Sequence, residues 1–218
     1  MSDVGRKRKT NEDAYFVDDE IGLYIVADGM GGHAAGEIAS REATHTIYAM
    51  IKEAIEDFGE LRAPLTDGRM RAACQLMEGA IQAATSTIYS MAELDRQKAG
   101  MGTTISALLI SGEYGIIGHV GDSRIYRVSG ERCEQLTEDH SLIAWQLKQG
   151  LISEEEAMVS PYRNVITRAV GNRDHVEVDT TVFPLERTSR FLLCSDGLHG
   201  YLRTNDIVPT VKIGGEDA

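Results

Sequence analysis

GLYIVADGMGGH, residues 22–33, decides how the chain is read. Six residues, Gly22 to Ala27, are almost wholly apolar and lead straight into Asp28-Gly29. Such a run predicts a strand covered on both faces. The run AYFV at 14–17 predicts its partner, joined to it by the polar turn Asp18-Asp19-Glu20. The same design recurs twice: IIGHVGD (116–122) ends at Asp122, and FLLCSDG (191–197) ends at Asp196. A fourth acid, Asp13, opens the first strand in NEDAYF (11–16). One Asp-Gly pair is an ordinary turn, and Asp67-Gly68 reads as one. An aspartate closing a buried strand is different, because its desolvation must be compensated.

Between the strand pairs the periodicity changes. Residues 36–58 predict a helix through Ile47, Ile51, Ala54 and Phe58, ending at Gly59. Residues 60–68, with Pro64, read as a loop, and a second helix follows over about 69–95, striped by Met70, Ala73, Met77, Ala80, Ala84, Ile88 and Met91. Two such helices predict an antiparallel pair packed on a sheet. Short runs at 103–110, 115–120, 123–128 and 132–136 read as an antiparallel meander. A helix is expected over 139–149, a Ser153-capped helix over 154–158, and strands over 176–183 and 190–195. Strands, then helices, then strands define an α+β chain.

Composition narrows the function. A 218-residue chain can bury a core without staples. A net charge of −12 repels phosphate backbones, so no nucleic-acid partner is expected. Cys74, Cys133 and Cys194 are odd in number and widely spaced, which fits neither a disulfide framework nor a zinc site. No stretch has the roughly 18 apolar residues of a membrane span, and MSDVGRKRKTNED has no signal-peptide core, so a cytoplasmic location and no membrane partner are expected.

Converging carboxylates repel one another unless a cation lies between them. All-oxygen ligation points to Mg²⁺ or Mn²⁺, with Asp13, Asp28, Asp122 and Asp196 as candidates and the Gly29 carbonyl within reach. Arg6-Lys7-Arg8-Lys9 stands out in an acidic chain, either as a solvated tail or as an anion site beside the metal. DGMGGHAAGE (28–37) lacks the Lys-Ser/Thr of a nucleotide loop and suits a tight strand-to-helix turn.

DVGRKRKTNED, ADGMGGHAAGE, GMGTT (100–104), HVGDSR (119–124), LTEDHS (136–141), NVITRAVG (164–171) and LLCSDGL (192–198) occur in that order. Together they closely resemble the bacterial branch of the type 2C metal-dependent protein phosphatases. The resemblance implies a central β-sandwich of two antiparallel sheets flanked by helix pairs, in four layers (α-β-β-α), formed by 1–218 as a single domain. It implies hydrolysis of phosphoserine and phosphothreonine in proteins by a metal-activated water, in opposition to a serine/threonine kinase. Two ions are expected, with a third as an addition. Carried over by motif, Asp28 bridges both ions, Gly29 offers its carbonyl, Asp13 and Asp196 bind one ion each, and Asp122 serves the third. Glu12 stands behind them, and Arg8 grips phosphate. His33 is a candidate acid for the leaving oxygen or an ordinary helix-start residue, and a metal-bound water could do the same work. Residues 142–170 match the family's flap, with Ser160-Pro161 where His-Pro is usual.

Members normally continue through another helix to Gly-Gly-x-Asp-Asn and a strand, whereas this sequence ends GGEDA (214–218), so the family's final helix and strand are expected to be lacking. Asp217 is not expected to be that ligand, so one metal site is expected to be short of a ligand. A truncated module that binds phosphoproteins without hydrolysing them is the competing reading, and an unrelated metal-dependent nuclease is disfavoured by the charge.

Overall fold

A computed structural model describes residues 2–4, 10–31, 34–58, 66–202 and 204–214. Two antiparallel sheets form its centre. The six-stranded sheet runs β1 (Asp13–Asp18), β2 (Leu23–Met30), β4 (Ile105–Ser111), β5 (Tyr114–Val120) and β8 (Asp179–Pro184), with the short β3 (Gly102–Thr103) paired to the end of β2. The smaller sheet has the order β7 (Arg132–Gln135), β6 (Arg124–Ser129), β9 (Arg190–Cys194).

Strand alternation explains the layers. In β4 and β5, Ile105, Ala107, Leu109, Ile116 and Val120 face the helix pair α1 (Ala34–Phe58) and α2 (Asp67–Leu94) and join Ile47, Ile51, Met77, Ile81 and Ile88 in the main core. Leu108 and Ile117 face the other way and meet Ile125 of β6 between the sheets. The next residue of β6, Tyr126, turns outward with Val128 onto Ile207 and Val208 of α6 (Thr204–Gly214). β4 and β5 are therefore the strands buried on both faces. β2 is fully buried on its helix side and half-buried on the other, because the three-stranded sheet does not cover it completely. Among the described residues no helix is long and apolar enough to cross a membrane.

The expected meander over 103–136 does not form. β4 and β5 make a hairpin, but the chain then leaves for the second sheet, so β5 pairs with β8 and β6 with β7 and β9. The crossing is made at Gly121-Asp122-Ser123. Gly121 has φ 108°, and a Cβ there would lie 2.6 Å from Thr104 Cβ. The crossing is anchored by buried hydroxyls: Ser106 Oγ donates to the Ser123 carbonyl (2.9 Å), and Thr104 Oγ1 and Ser123 Oγ are 2.7 Å apart. A short apolar run does not reveal which sheet it will join, and that ambiguity hid the crossing.

Other boundaries move for local reasons. Asp67-Gly68 is not a turn but the first turn of α2, since Thr66 supplies the cap through its Oγ1 to Arg69 N–H, and an acid suits a helix start. The helix expected over 139–149 shrinks to α3 (Leu142–Lys148), capped by Ser141, because Asp139 is engaged by Arg124 and His140 by Gly121. α4 (Glu154–Val159) has the Ser153/Glu156 capping box. The strand expected over 176–183 is shifted to β8, 179–184. α6 was not foreseen; Pro209 lies inside it, and tertiary packing of Ile207 and Val208 overrides the proline.

Gly121→Ala should destabilise the protein by about 1–3 kcal/mol, the cost of holding a side chain in a sparsely populated backbone region. The midpoint of urea unfolding measures this; an unchanged midpoint would show that the crossing tolerates other geometries.

Candidate metal centre

The acids at the ends of the buried strands come within electrostatic reach of one another around Asp28. Asp13 and Asp28 are directly paired across β1 and β2, so both side chains leave the same face. That face is the one turned toward the smaller sheet. Asp122 arrives on the crossing between sheets. Asp196 opens the short helix α5 (Asp196–His199) directly after β9. Ser195 does not cap α5 with its hydroxyl; Oγ donates instead to Asp13 Oδ2 at 2.9 Å, joining the two sheets at the site.

Asp28 is held by its main chain. Its N–H donates to Thr104 Oγ1 (2.9 Å), and its carbonyl accepts from Thr104 N–H (2.9 Å) and Thr103 Oγ1 (3.0 Å). The GMGTT motif therefore works as a clamp on Asp28, a role the sequence reading did not assign. Thr104 also touches Ser123, one residue from Asp122, so one hydroxyl reaches both acidic segments. Gly29 is required for a different reason: a Cβ would sit 2.1 Å from the Gly36 carbonyl of α1 and 2.6 Å from the Glu12 carbonyl. Its N–H donates to the Glu12 carbonyl at 3.1 Å.

Crowding of like charge is visible in the proton affinities. Burial, then the charges of Asp13 and Asp196, push the Asp28 carboxyl up to about 8, with Asp122 adding to the effect. Burial, with Asp196 and Asp139 behind it, pushes Asp122 up to about 6, although Arg124 pulls the other way. Glu12 Oε1 is buried and has no hydrogen-bond partner among the described residues. Among those residues no three Asp, Glu, His or Cys side chains stand at ready ligand spacing. The acids are within electrostatic reach of one another, and a cation's own charge would draw them together. Hard carboxylate oxygens, mutual repulsion and an orphaned buried carboxylate oxygen all fit a Mg²⁺-like ion.

Arg8 and His33 lie outside the described residues, as does Asp217. The site also contains groups not singled out beforehand. His199 Nε2–H donates to the Asp122 carbonyl at 3.0 Å, and burial, aided by Arg124, keeps its imidazole neutral-leaning. Arg124 forks onto Asp139 at 2.6–3.1 Å. The spacing of His199 three residues after Asp196 was the available signal, since three residues is less than one helical turn. Cys194 is buried, and burial pushes its thiol up to about 11, as expected of an inert core cysteine. Beside the acids opens a groove of about 870 Å³ whose walls include Asp122, Asp196, Lys148, Arg163, His199 and Tyr201.

The sequence profile of the protein phosphatase 2C family matches residues 5–213. The serine/threonine phosphatase stp of Listeria welshimeri serovar 6b is 40% identical over 214 residues, covering 97% of this chain and 81% of that protein. The crystal structure of the Mycobacterium tuberculosis serine/threonine phosphatase PstP/Ppp superposes with a TM-score of 0.84 at 31% identity, covering 98% of this chain and 83% of that one. The catalytic domain of PstP in complex with two manganese ions gives 0.81 at 31% identity, covering 97% and 82%. The chain belongs to the protein phosphatase 2C family.

Without metal, the Asp28 and Asp122 carboxyls bind protons more tightly in the folded than in the unfolded chain. Their contribution to stability is complete below about pH 4 and is lost as pH rises, through about 6 for Asp122 and about 8 for Asp28. Above the histidine range, from about pH 7 to about pH 8.5, Asp28 dominates. In chelator, the melting temperature should fall across that window, and Asp28→Asn should flatten the fall. An equally steep fall in the variant would remove Asp28 as its source.

Proposed function

We propose that this chain, read as one phosphatase domain, hydrolyses phosphoserine and phosphothreonine in proteins, using divalent cations held by Asp13, Asp28, Asp196 and the Gly29 carbonyl, with Asp122 serving a third. The observation that carries this reading is geometric: Asp13 lies directly opposite Asp28 across β1 and β2, and Ser195, next to Asp196, donates to Asp13 from the other sheet. The two manganese ions in the PstP structure support divalent cations for this chain as well, with manganese or magnesium as the natural choice.

The chemistry such ions supply when bound is to lower the pKa of water and to offset charge on a phosphoryl group. The chain's residues set the conditions for it. Burial and the neighbouring acids favour the protonated form of Asp28, and a bound cation would favour its carboxylate. Thr103 and Thr104 fix the Asp28 main chain. Ser195 orients Asp13 through its Oδ2. Arg8 is assigned to the phosphate oxygens and His33 to protonation of the serine or threonine oxygen as the P–O bond breaks. Water adds to phosphorus directly, so no phosphoenzyme forms.

The groove beside the acids suits the polypeptide around a phosphorylated residue. Its outer wall belongs to residues 142–170, assigned as the flap. That segment hangs from a base closed by the Ser141–Ile166 bridge and presents Trp145, Leu151, Met158 and Tyr162 to solvent. Hydrolysis there would oppose a serine/threonine kinase. A non-hydrolysing phosphoprotein-binding module is disfavoured, since the relatives that match nearly the whole chain are serine/threonine phosphatases and Asp13, Asp28, Asp122 and Asp196 are retained.

Phosphate release from a phosphothreonine peptide should require Mn²⁺ or Mg²⁺ and stop with chelator. Asp28→Ala should lower kcat/KM by about a thousandfold or more, since several kcal/mol of charge stabilisation is lost. Release that persists in the variant or in chelator would refute the assignment.

A further inference from the structure

His140, outside the carboxylate cluster, is a junction between the Asp122 turn and the flap. Its main-chain N–H donates to the Gly121 carbonyl at 2.7 Å, and its carbonyl accepts from Thr167 N–H at 2.7 Å. Its ring is buried, and Nδ1 accepts from Gly121 N–H at 3.1 Å. A main-chain N–H can only donate, so Nδ1 carries a lone pair and the proton sits on Nε2. Nε2–H donates to Asp179 Oδ2 at 3.2 Å; Arg168 Nη1 also lies 3.1 Å from Nε2 but can only donate, so with Nε2 protonated its hydrogen bond goes to Asp179 Oδ1 at 2.7 Å. Gly121 is thus gripped at both its N–H and its carbonyl by one residue, at the left-handed position immediately before Asp122. The neighbours of His140 extend the connection. Asp139 forks onto Arg124, two residues beyond Asp122. Ser141 bridges to Ile166 and closes the base of the flap.

We propose that His140 is a positioning residue, which fixes the Gly121-Asp122 turn through Nδ1 and ties it to the base of the 141–166 segment. Seating of a cation at Asp122 and seating of a phosphoprotein against the flap then influence each other through a shared strap, and any such coupling is reciprocal. The inference rests on the assignment of Asp122 as a cation ligand. Outer partners that orient a ligand typically cost 10–100-fold in metal affinity or activity when removed.

The two ring nitrogens can be separated by substitution. In His140→Asn the side-chain oxygen falls where Nδ1 was and can still accept from Gly121 N–H. In His140→Gln the amide nitrogen falls near Nε2 and can still donate to Asp179, while the Gly121 acceptor is lost. With melting curves confirming that both fold, two readouts are taken: hydrogen exchange at the Gly121 and Thr167 amides without metal, and the Mn²⁺ concentration giving half-maximal hydrolysis of a phosphothreonine peptide. The Gln variant should exchange faster at Gly121 and need about tenfold more Mn²⁺ or beyond, and the Asn variant should recover most of both. Equal behaviour of the two variants, whether both impaired or both unaffected, would overturn the role of Nδ1. If the wild-type protein releases no phosphate at any Mn²⁺ concentration, the phosphatase assignment fails, and the exchange contrast alone decides on His140. Should the Gln variant not fold, ¹⁵N spectra of His140 carry the test. Its ring resonances should report the Nε2–H tautomer and move on Mg²⁺ addition in the wild type but not in Asp122→Asn; resonances that do not move in the wild type would overturn the coupling.

Discussion

Mutual repulsion among buried carboxylates is the constraint around which this molecule is arranged. Asp28 lies on the inner face of β2 with Asp13 directly opposite, and Asp196 and Asp122 raise its proton affinity further. Left to itself, such a group would drive its neighbours apart or draw in protons. The fold resists through hydrogen bonds, most of them to the main chain, rather than through counter-charges at the acids themselves. Thr103 and Thr104 clamp Asp28, Ser195 holds Asp13, and His199 steadies the carbonyl of Asp122. The acids are kept within electrostatic reach of one another, with a proton rather than a cationic side chain relieving the repulsion at Asp28, and a divalent cation can take that proton's place.

The two-sheet architecture makes that arrangement possible. β1 and β2 bring Asp13 and Asp28 from one sheet, and β9 brings Asp196 from the other. The crossing at Gly121-Asp122-Ser123 places the fourth acid where the chain changes sheets, and its polar anchors, Thr104 and Ser106, are buried between the layers. Packing and chemistry share these residues. The hydroxyl that pairs with Ser123 also receives the Asp28 N–H, so a disturbance at the crossing reaches the acid on the neighbouring strand.

The sequence made the pattern of acids legible because apolar runs ending in Asp-Gly are local. Asp28, Asp122 and Asp196 each follow such a run, and their meeting was foreseeable from the cost of burying them singly. The helix pair was equally readable from its long stripes, and the structure departs from the expected bounds of α1 and α2 by only a turn or less. What could not be read was pairing between distant segments. Nothing within 123–128 says that β6 leaves β5 for β9, and nothing around Ser195 says that its hydroxyl crosses to Asp13, 182 residues away. His140 was hidden for the same reason: LTEDHS marks a family pattern, but its ring acts on Gly121 and Asp179, both remote in sequence. The shortening of α3 belongs here too, since Asp139 and His140 are claimed by tertiary partners before a helix can take them.

Anomalous scattering from crystals grown with Mn²⁺, collected at the manganese edge, tests most directly whether these acids clamp cations. Strong peaks bounded by Asp28, Asp13 and Asp196, with their carboxylate oxygens turned onto them, are the expected result. Asp28 and Asp196 turned apart, with no peak between them, would contradict it.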